Sequence, residues 1–378
     1  MLGNIAIICG NNRHYRISYC GNKFELFHHL FFVQVVFLNR MDSLTQIVLG
    51  GAIGELVAGR KLGNRAVLWG AIAGTIPDLD VFLRFFYHPI EAALVHRGFS
   101  HSLLFALMAG PLLGLLFNVA TKRVYGFWLW THLIFWGIVT HPLLDMFTNY
   151  GTQFFWPFEA RITFNSVFVI DPLYTIPFMV LLIWAMRLNK ESLKRRKLNR
   201  IGLIYSTAYL LLGLLIKWYV WYNADQYFAK NKVHIDRMMV TPMPFTCLYW
   251  YVLGENTENF YVAYESILSK QTCRNHECIA KGKFRIETLE WEGDSKSKEL
   301  AMVTNGYYLM NKERHSILCY DLRFGWSDKL TNGKLKIPLM GYRFYLDKGK
   351  IKKTKYIKPN QVLQKSDFKQ YLQYIIKE

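Results

Sequence analysis

Apolar residues gather in helix-length blocks over the first 222 positions, and beyond that point they alternate with polar ones. Blocks at roughly 44–58, 66–77, 102–120, 126–147, 166–186 and 202–222 predict six helices. The last four are long enough to span a bilayer core, which takes about 20 residues. The first two are shorter and predict a re-entrant hairpin, or a pair of spans completed by flanking residues. Gly50 with Gly54, and Gly70 with Gly74, are each four apart on one helix face, so these two helices are expected to pack closely. In the tail, "FYVAYESIL", "FRIETLEWE", "GYYLMN", "SILCYDLRFGW" and "GYRFYLD" alternate and are broken by Gly, Asn and Asp, as strands are; "KSDFKQYLQYIIKE" predicts a terminal helix. The expected fold is an α-helical polytopic membrane domain of about four to six membrane helices, followed by a C-terminal β-rich (α+β) soluble domain. Its parts are an N-terminal extension over 1–40, a membrane-embedded domain over 41–222 and a soluble domain over 223–378.

Composition supports this division. Hydrophobic residues make up 52% of the 378-residue chain, more than one soluble core needs. A net charge of +19 would suit nucleic acid, but no nucleic-acid motif accompanies it, so membrane lipids are the expected partner. Six scattered cysteines make no disulfide scaffold; in "CRNHEC", a Cys273–Cys278 disulfide or two free thiols is expected before a zinc site with His276. Residues 1–40 fit no signal peptide, and "MDSLTQIVLGG" from Met41 reads as a natural start, so the extension is expected to be dispensable.

Charge also orients the helices. "RLNKESLKRRKLNR" at 187–200 is a strongly basic loop and is expected on the cytoplasmic side, together with Lys122, Arg123, Arg60, Lys61 and Arg65. The opposite face then receives Asp42 and Gln46, Asp78 and Asp80, His96 and His101, His141 and Asp145, and the whole C-terminal domain. Four separated clusters of metal-competent side chains on one face point to a shared site. In "GTIPDLD", Thr75 capping a helix with Pro77 in its first turn would account for Asp78 without chemistry. His141 and Asp145 share a helix face and are costly to place in a membrane span without a function. "HRGFSHS" sets two histidines around a turn, with Ser100 or Ser102 able to start the following helix. Mixed imidazole and carboxylate donors suit zinc first, with manganese or iron as alternatives, and the number of candidates allows one or two ions. Arg97 is available for an anionic substrate group. Arg161, Asn165 and Asp171 lie on the same face as candidate substrate or supporting residues, and Ser43, Thr45, Asn149 and Tyr150 follow as weaker ones.

"MDSLTQIVLGGAIGE", "GTIPDLD", "HRGFSHS" and "HPLLDMFTNYG", in this order between hydrophobic helices, resemble the YdjM-like family of bacterial inner-membrane metal-dependent hydrolases over about residues 41–186. The resemblance implies an integral inner-membrane protein with inferred hydrolase activity. It carries the metal ligands onto Asp78, Asp80, His96, His101, His141 and Asp145. Many members have histidine where this chain has Gln46, which implies a lost ligand or a replacement by Asp42.

The expected function is a membrane-bound metal-dependent hydrolase that cleaves an ester or phosphoester of a lipid or lipid-linked substrate at the outer face of the bacterial cytoplasmic membrane. Asp80 or Asp145 would be the general base and Arg97 would stabilise the anion. The alternatives are a non-enzymatic protein that binds or moves metal ions or protons, or a membrane scaffold acting through its C-terminal domain.

Overall fold

The structure is a computed structural model that describes residues 42–269, 276–282, 285–326 and 338–357, with 371 and 373–375 near the C-terminus. The extension over 1–40, the Cys273–Cys278 pairing, most of the terminal helix and the side chains of Asp42 and Ser43 lie outside the described residues.

Helix α1, Asp42–Leu62, turns at Gly63 into α2, Asn64–Thr75. Gly63 has φ 59°, a left-handed backbone that glycine adopts without a Cβ clash. The glycine spacing does what the sequence suggests. A Cβ added at Gly70 would stand 2.6 Å from Gly54 Cα, and one at Gly50 would stand 2.5 Å from Gly70 O. A 3-10 helix, Pro77–Phe85, follows α2 at a 42° bend. Thr75 does not cap it: the Thr75 hydroxyl donates back to Ile72 O at 2.9 Å, and Ile76 occupies the cap position. The capping account of "GTIPDLD" is therefore corrected, and Asp78 is left for another purpose.

Helix α3, Pro89–Val95, and a 3-10 turn, Phe99–His101, lead into α4, Leu103–Ala120. Ser102 caps α4 by accepting the Phe105 N–H at 3.0 Å. Helix α5, Phe127–Asp145, is the central helix. Trp130, Leu133, Ile134 and Ile138 are buried against Ala66 and Ala73 of α2 and Ala106 and Ala109 of α4, large side chains filling the space left by small ones. A loop over 146–171 connects to α6, Pro172–Met186, and α7, Leu193–Lys230, closes the helical half.

Every predicted apolar block contains a helix, the one at 166–186 only from Pro172, but membrane-crossing capacity is narrower than the block count. Among the described residues α4 and α7 are long and apolar enough to cross a membrane, and α2 with its bent 3-10 partner makes a third if the pair counts as one span. Helix α7, at 38 residues and about 57 Å, runs past residue 222. Its last turns bury Val220, Ala224 and Phe228 against Val240, Trp250, Val252 and Ala263 of the first sheet. The basic loop is also shorter than expected, because residues from Leu193 onward belong to α7. Arg195 turns inward and forms a two-pronged ion pair with Glu55 of α1, at 2.7 and 2.5 Å, with both side chains buried. Asn199, one turn on, donates to Ala52 O at 2.9 Å.

The C-terminal half holds two antiparallel four-stranded sheets in sequential order. The first contains β1 Arg237–Pro242, β2 Tyr249–Glu255, β3 Asn259–Ser266 and β4 His276–Ala280. The second contains β5 Tyr308–Lys312, β6 Ser316–Trp326, β7 Pro338–Asp347 and β8 Lys350–Ile357, with α8, Ser297–Thr304, before it. From Arg285 onward, "FRIETLEWE" is not a strand. Ile286 and Leu289, three apart, both face the core through a 3-10 turn at Ile286–Thr288. His276 accompanies no metal cluster among the described residues; its Nδ1 lies 3.2 Å from the Tyr227 hydroxyl.

Glu55→Ala leaves the Arg195 guanidinium buried without its counter-ion and is expected to cost about 3–5 kcal/mol, against little or no loss when both are replaced by leucine. Unfolding midpoints of the two variants in one detergent check this, and equal midpoints would refute it.

Candidate metal centre

Three stretches far apart in the chain meet where α2 ends, α5 ends and α4 begins. His141 Nε2 lies 3.1 Å from His101 Nε2, and Asp78 Oδ1 lies 3.3 Å from the first and 3.5 Å from the second. Both histidines are buried, and Asp78 keeps 20% of its side chain exposed. Ligands at zinc-bond length around one tetrahedral ion stand roughly 3.3 Å apart, so the three atoms sit at the spacing that one ion requires.

What turns the rings this way is the partner each finds for its other nitrogen. His141 Nδ1 lies 2.6 Å from Gly74 O, a carbonyl in the last turn of α2 where no helical N–H can take it. His101 Nδ1 lies 3.0 Å from Ser100 Oγ and 3.2 Å from Asp80 Oδ2. A carbonyl or carboxylate beside Nδ1 requires the N–H there, which in the neutral rings assigns the tautomer and leaves an acceptor lone pair on each Nε2. In that form two imidazole lone pairs and a carboxylate oxygen converge. The donor set fits a divalent metal of the zinc type.

The remaining candidates surround this triad. Asp145 Oδ2 stands 3.6 Å from each Nε2 and 3.1 Å from Arg97 Nε, while its Oδ1 accepts the Gln46 amide at 2.8 Å. Asp80 lies one step out. Besides His101 it receives His96 Nδ1 at 2.6 Å, the Ser100 hydroxyl at 2.5 Å and the Arg97 backbone N–H at 3.3 Å. His96 therefore faces Asp80, with its side chain 31% exposed. Arg97 is buried, donates to Thr148 Oγ1 at 2.7 Å and lies on the Tyr150 ring at 4.8 Å. Its backbone is left-handed, φ 65°, an arrangement that costs a non-glycine residue about 1–3 kcal/mol and tends to be kept at functional sites.

Arg161 clamps the loop from outside by donating to the carbonyls of Leu94 and His96. Burial, with Arg97 and Arg323 nearby, pushes its guanidinium down to about 10, so it stays charged at neutral pH. Asn165 is turned away to accept the Thr163 hydroxyl at 2.7 Å. Asp171 caps α6 and accepts the Tyr209 hydroxyl at 2.7 Å. It reaches the centre only across a cavity of about 20 Å³, room for one water, that it lines with Gln46 and Asp145. Neither Asn165 nor Asp171 contacts the triad.

Residues 41–223 match the family model described as YdjM inner membrane protein. The helical half is similar to the YdjM inner membrane protein family. The YdjM region contains every side chain of the triad and of its surround, and it ends before the first sheet. A relative, the uncharacterized protein YfhP of Bacillus subtilis (strain 168), is 26% identical over 241 residues, covering 59% of this chain and 67% of its own. That alignment is longer than the YdjM region itself. No solved structure matches the chain.

Reading the YdjM residues from sequence overlooked Ser100 as a partner of Asp80, Thr148 as a partner of Arg97, Gln46 as the donor to Asp145, and the Gly74 carbonyl. Thr148 had only its polarity as a signal, Gln46 and Ser100 stood among the candidates without these partners, and a backbone carbonyl has no signal.

His101→Ala or His141→Ala is expected to abolish metal binding, and Asp80→Asn to weaken it about 10–100-fold by releasing the His101 ring. Elemental analysis and chelator competition on purified protein check this; full metal content in both alanine variants would refute the assignment.

Proposed function

We propose that this chain is a membrane-bound metal-dependent hydrolase that cleaves an ester or phosphoester of a lipid or lipid-linked substrate at the outer face of the cytoplasmic membrane. The observation that carries the reading is the convergence of His101 Nε2, His141 Nε2 and Asp78 Oδ1, with both Nδ1 atoms engaged elsewhere. Asp78, His101 and His141 would hold the metal. When bound, a divalent ion supplies Lewis acidity toward a carbonyl or phosphoryl oxygen and an activated water.

The chain's own groups divide the remaining work. Asp80 already receives four donors, so it positions His101 and is a poor proton acceptor. His96 has Asp80 behind its Nδ1 and a partly exposed side chain, the arrangement of an imidazole that moves protons. Asp145, 3.1 Å from Arg97 Nε, is the second candidate base. Arg97, paired with Asp145, would stabilise the developing anion. Supporting a lipid substrate, the 3-10 helix that carries Asp78 and Asp80 exposes Leu79, Phe82, Phe85 and Phe86, and the loop after α5 exposes Phe155 and Phe158. Such apolar surface next to polar chemistry suits a membrane interface.

The closure of the site supports the non-enzymatic reading as the second choice: both histidines are at most 1% exposed, which suits holding a metal as well as using one.

With purified protein in mixed micelles of phospholipid, hydrolysis is expected to stop with a chelator and return with zinc or manganese. His96→Gln is expected to lower turnover about 100-fold or more while metal content is kept. Metal uptake into vesicles with no hydrolysis of any ester or phosphodiester offered would decide for transport.

A further inference from the structure

The C-terminal sheets lie outside the YdjM region, yet they grip both loops that carry the centre. In the 77–101 segment, Ile90 of α3 is fully buried in the core of the second sheet, among Ile286, Leu300, Met310 and Phe344. Beside it Glu91 pairs with Lys296 at 2.6 Å. In the loop after α5, Asn149 Oδ1 accepts the buried Thr241 hydroxyl of β1 at 2.6 Å, and the Tyr150 hydroxyl reaches Met340 Sδ of β7 at 3.3 Å.

The contact through Tyr150 leads to the metal site. Strand β6 breaks register with β7 between Asp321 and Trp326, and Gly325 there has φ 79°. Arg323 pins this irregularity by a two-pronged bond to Asp321, at 3.0 and 2.7 Å. Bulges of this kind re-aim side chains next to functional sites. Here Phe324 is aimed at Tyr150, with ring centroids 4.8 Å apart. The ring of Tyr150 carries the Arg97 guanidinium at 4.8 Å, and Arg97 Nε holds Asp145 Oδ2 at 3.1 Å, beside the two imidazoles. Arg97 also ties back to Asp80 through its backbone N–H. One residue therefore touches both carboxylates that flank the triad, Asp145 through its side chain and Asp80 through its backbone, and its guanidinium rests on a ring that the C-terminal half contacts.

We infer that the second sheet completes the metal centre, with Phe324 and Tyr150 acting as positioning residues that hold Arg97 against Asp145 and so set the affinity for the metal. The inference rests on the metal reading above. The C-terminal half is on this account a working part of the site, and neither a separate module nor a tether.

The test is zinc affinity of the full-length protein, by competition with a chromophoric chelator. Tyr150→Ala and Phe324→Leu are expected to weaken zinc binding about tenfold, and Tyr150→Phe and Phe324→Tyr to retain it, because the packed rings, tilted 46° to each other, rather than the hydroxyl hold Arg97. Leu133→Ala, in the α5 core away from these loops, is the control for general destabilisation: its unfolding midpoint should fall with zinc affinity unchanged. Unchanged affinity in Phe324→Leu and in folded Tyr150→Ala overturns the inference alone, as does an equal loss in Leu133→Ala. A wild-type protein that takes up no zinc overturns the inference and the metal reading together.

Discussion

Everything at the centre depends on where two imidazole rings place their Nδ1 hydrogens. Each ring has one N–H and one lone pair in its neutral form, so fixing a partner at Nδ1 fixes what Nε2 can do. Gly74 O and the Asp80–Ser100 pair take those hydrogens, and the two Nε2 lone pairs are left facing each other and Asp78. The Gly74 carbonyl is free because α2 ends there, and it is within reach because residues without bulk line the approach. A Cβ at Gly74 would stand 3.1 Å from Gly50 Cα, and one at Gly137 would meet Ala73 Cβ at 2.6 Å. Small residues therefore do more than pack α1, α2 and α5 together. They bring a backbone acceptor to a histidine.

A second constraint is the burial of charge. Glu55 with Arg195, and Asp145 with Arg97, are each almost wholly removed from solvent. Pairs of this kind are held by geometry and by additional hydrogen bonds, because the desolvation of each ion is large. Arg195 adds a bond to Leu188 O at 3.0 Å, and Arg97 adds Thr148 and the Tyr150 face. The two pairs serve different ends of the helical half. One joins α1 to the start of α7, and the other joins the loop before α4 to the end of α5. The latter sits beside the metal triad, where a charge displaced by an ångström would alter the site.

Much of this was legible in the chain. All six apolar blocks contain helices, though the block at 166–186 is helical only from Pro172, the glycine pairs pack as their spacing implies, and "PDLD", "HRGFSHS" and "HPLLD" do converge. The strands that were missed had reasons to be missed. Strand β2 is buried at every position and shows no alternation, while β8 is lysine-rich at the edge of its sheet, where charge guards against pairing with other chains. Arg195 was counted with the basic loop because its charge is local and its partner, Glu55, is 140 residues away.

Apolar periodicity and residue chemistry by themselves determined the helical half, the β-rich tail and the cast of polar residues around the centre, because periodicity and donor type are properties of neighbouring residues. Only the tertiary structure decided the roles within that cast. It separated Asp78, which faces both Nε2 atoms, from Asp80, which orients a ring, although the two are one residue apart. It turned His96 toward Asp80 and outward, set Arg97 between two carboxylates, and brought Phe324 from the C-terminal half onto Tyr150. Such assignments depend on distances of 3 Å between residues tens to hundreds of positions apart, and on a backbone carbonyl that every residue possesses and only the folded chain can aim.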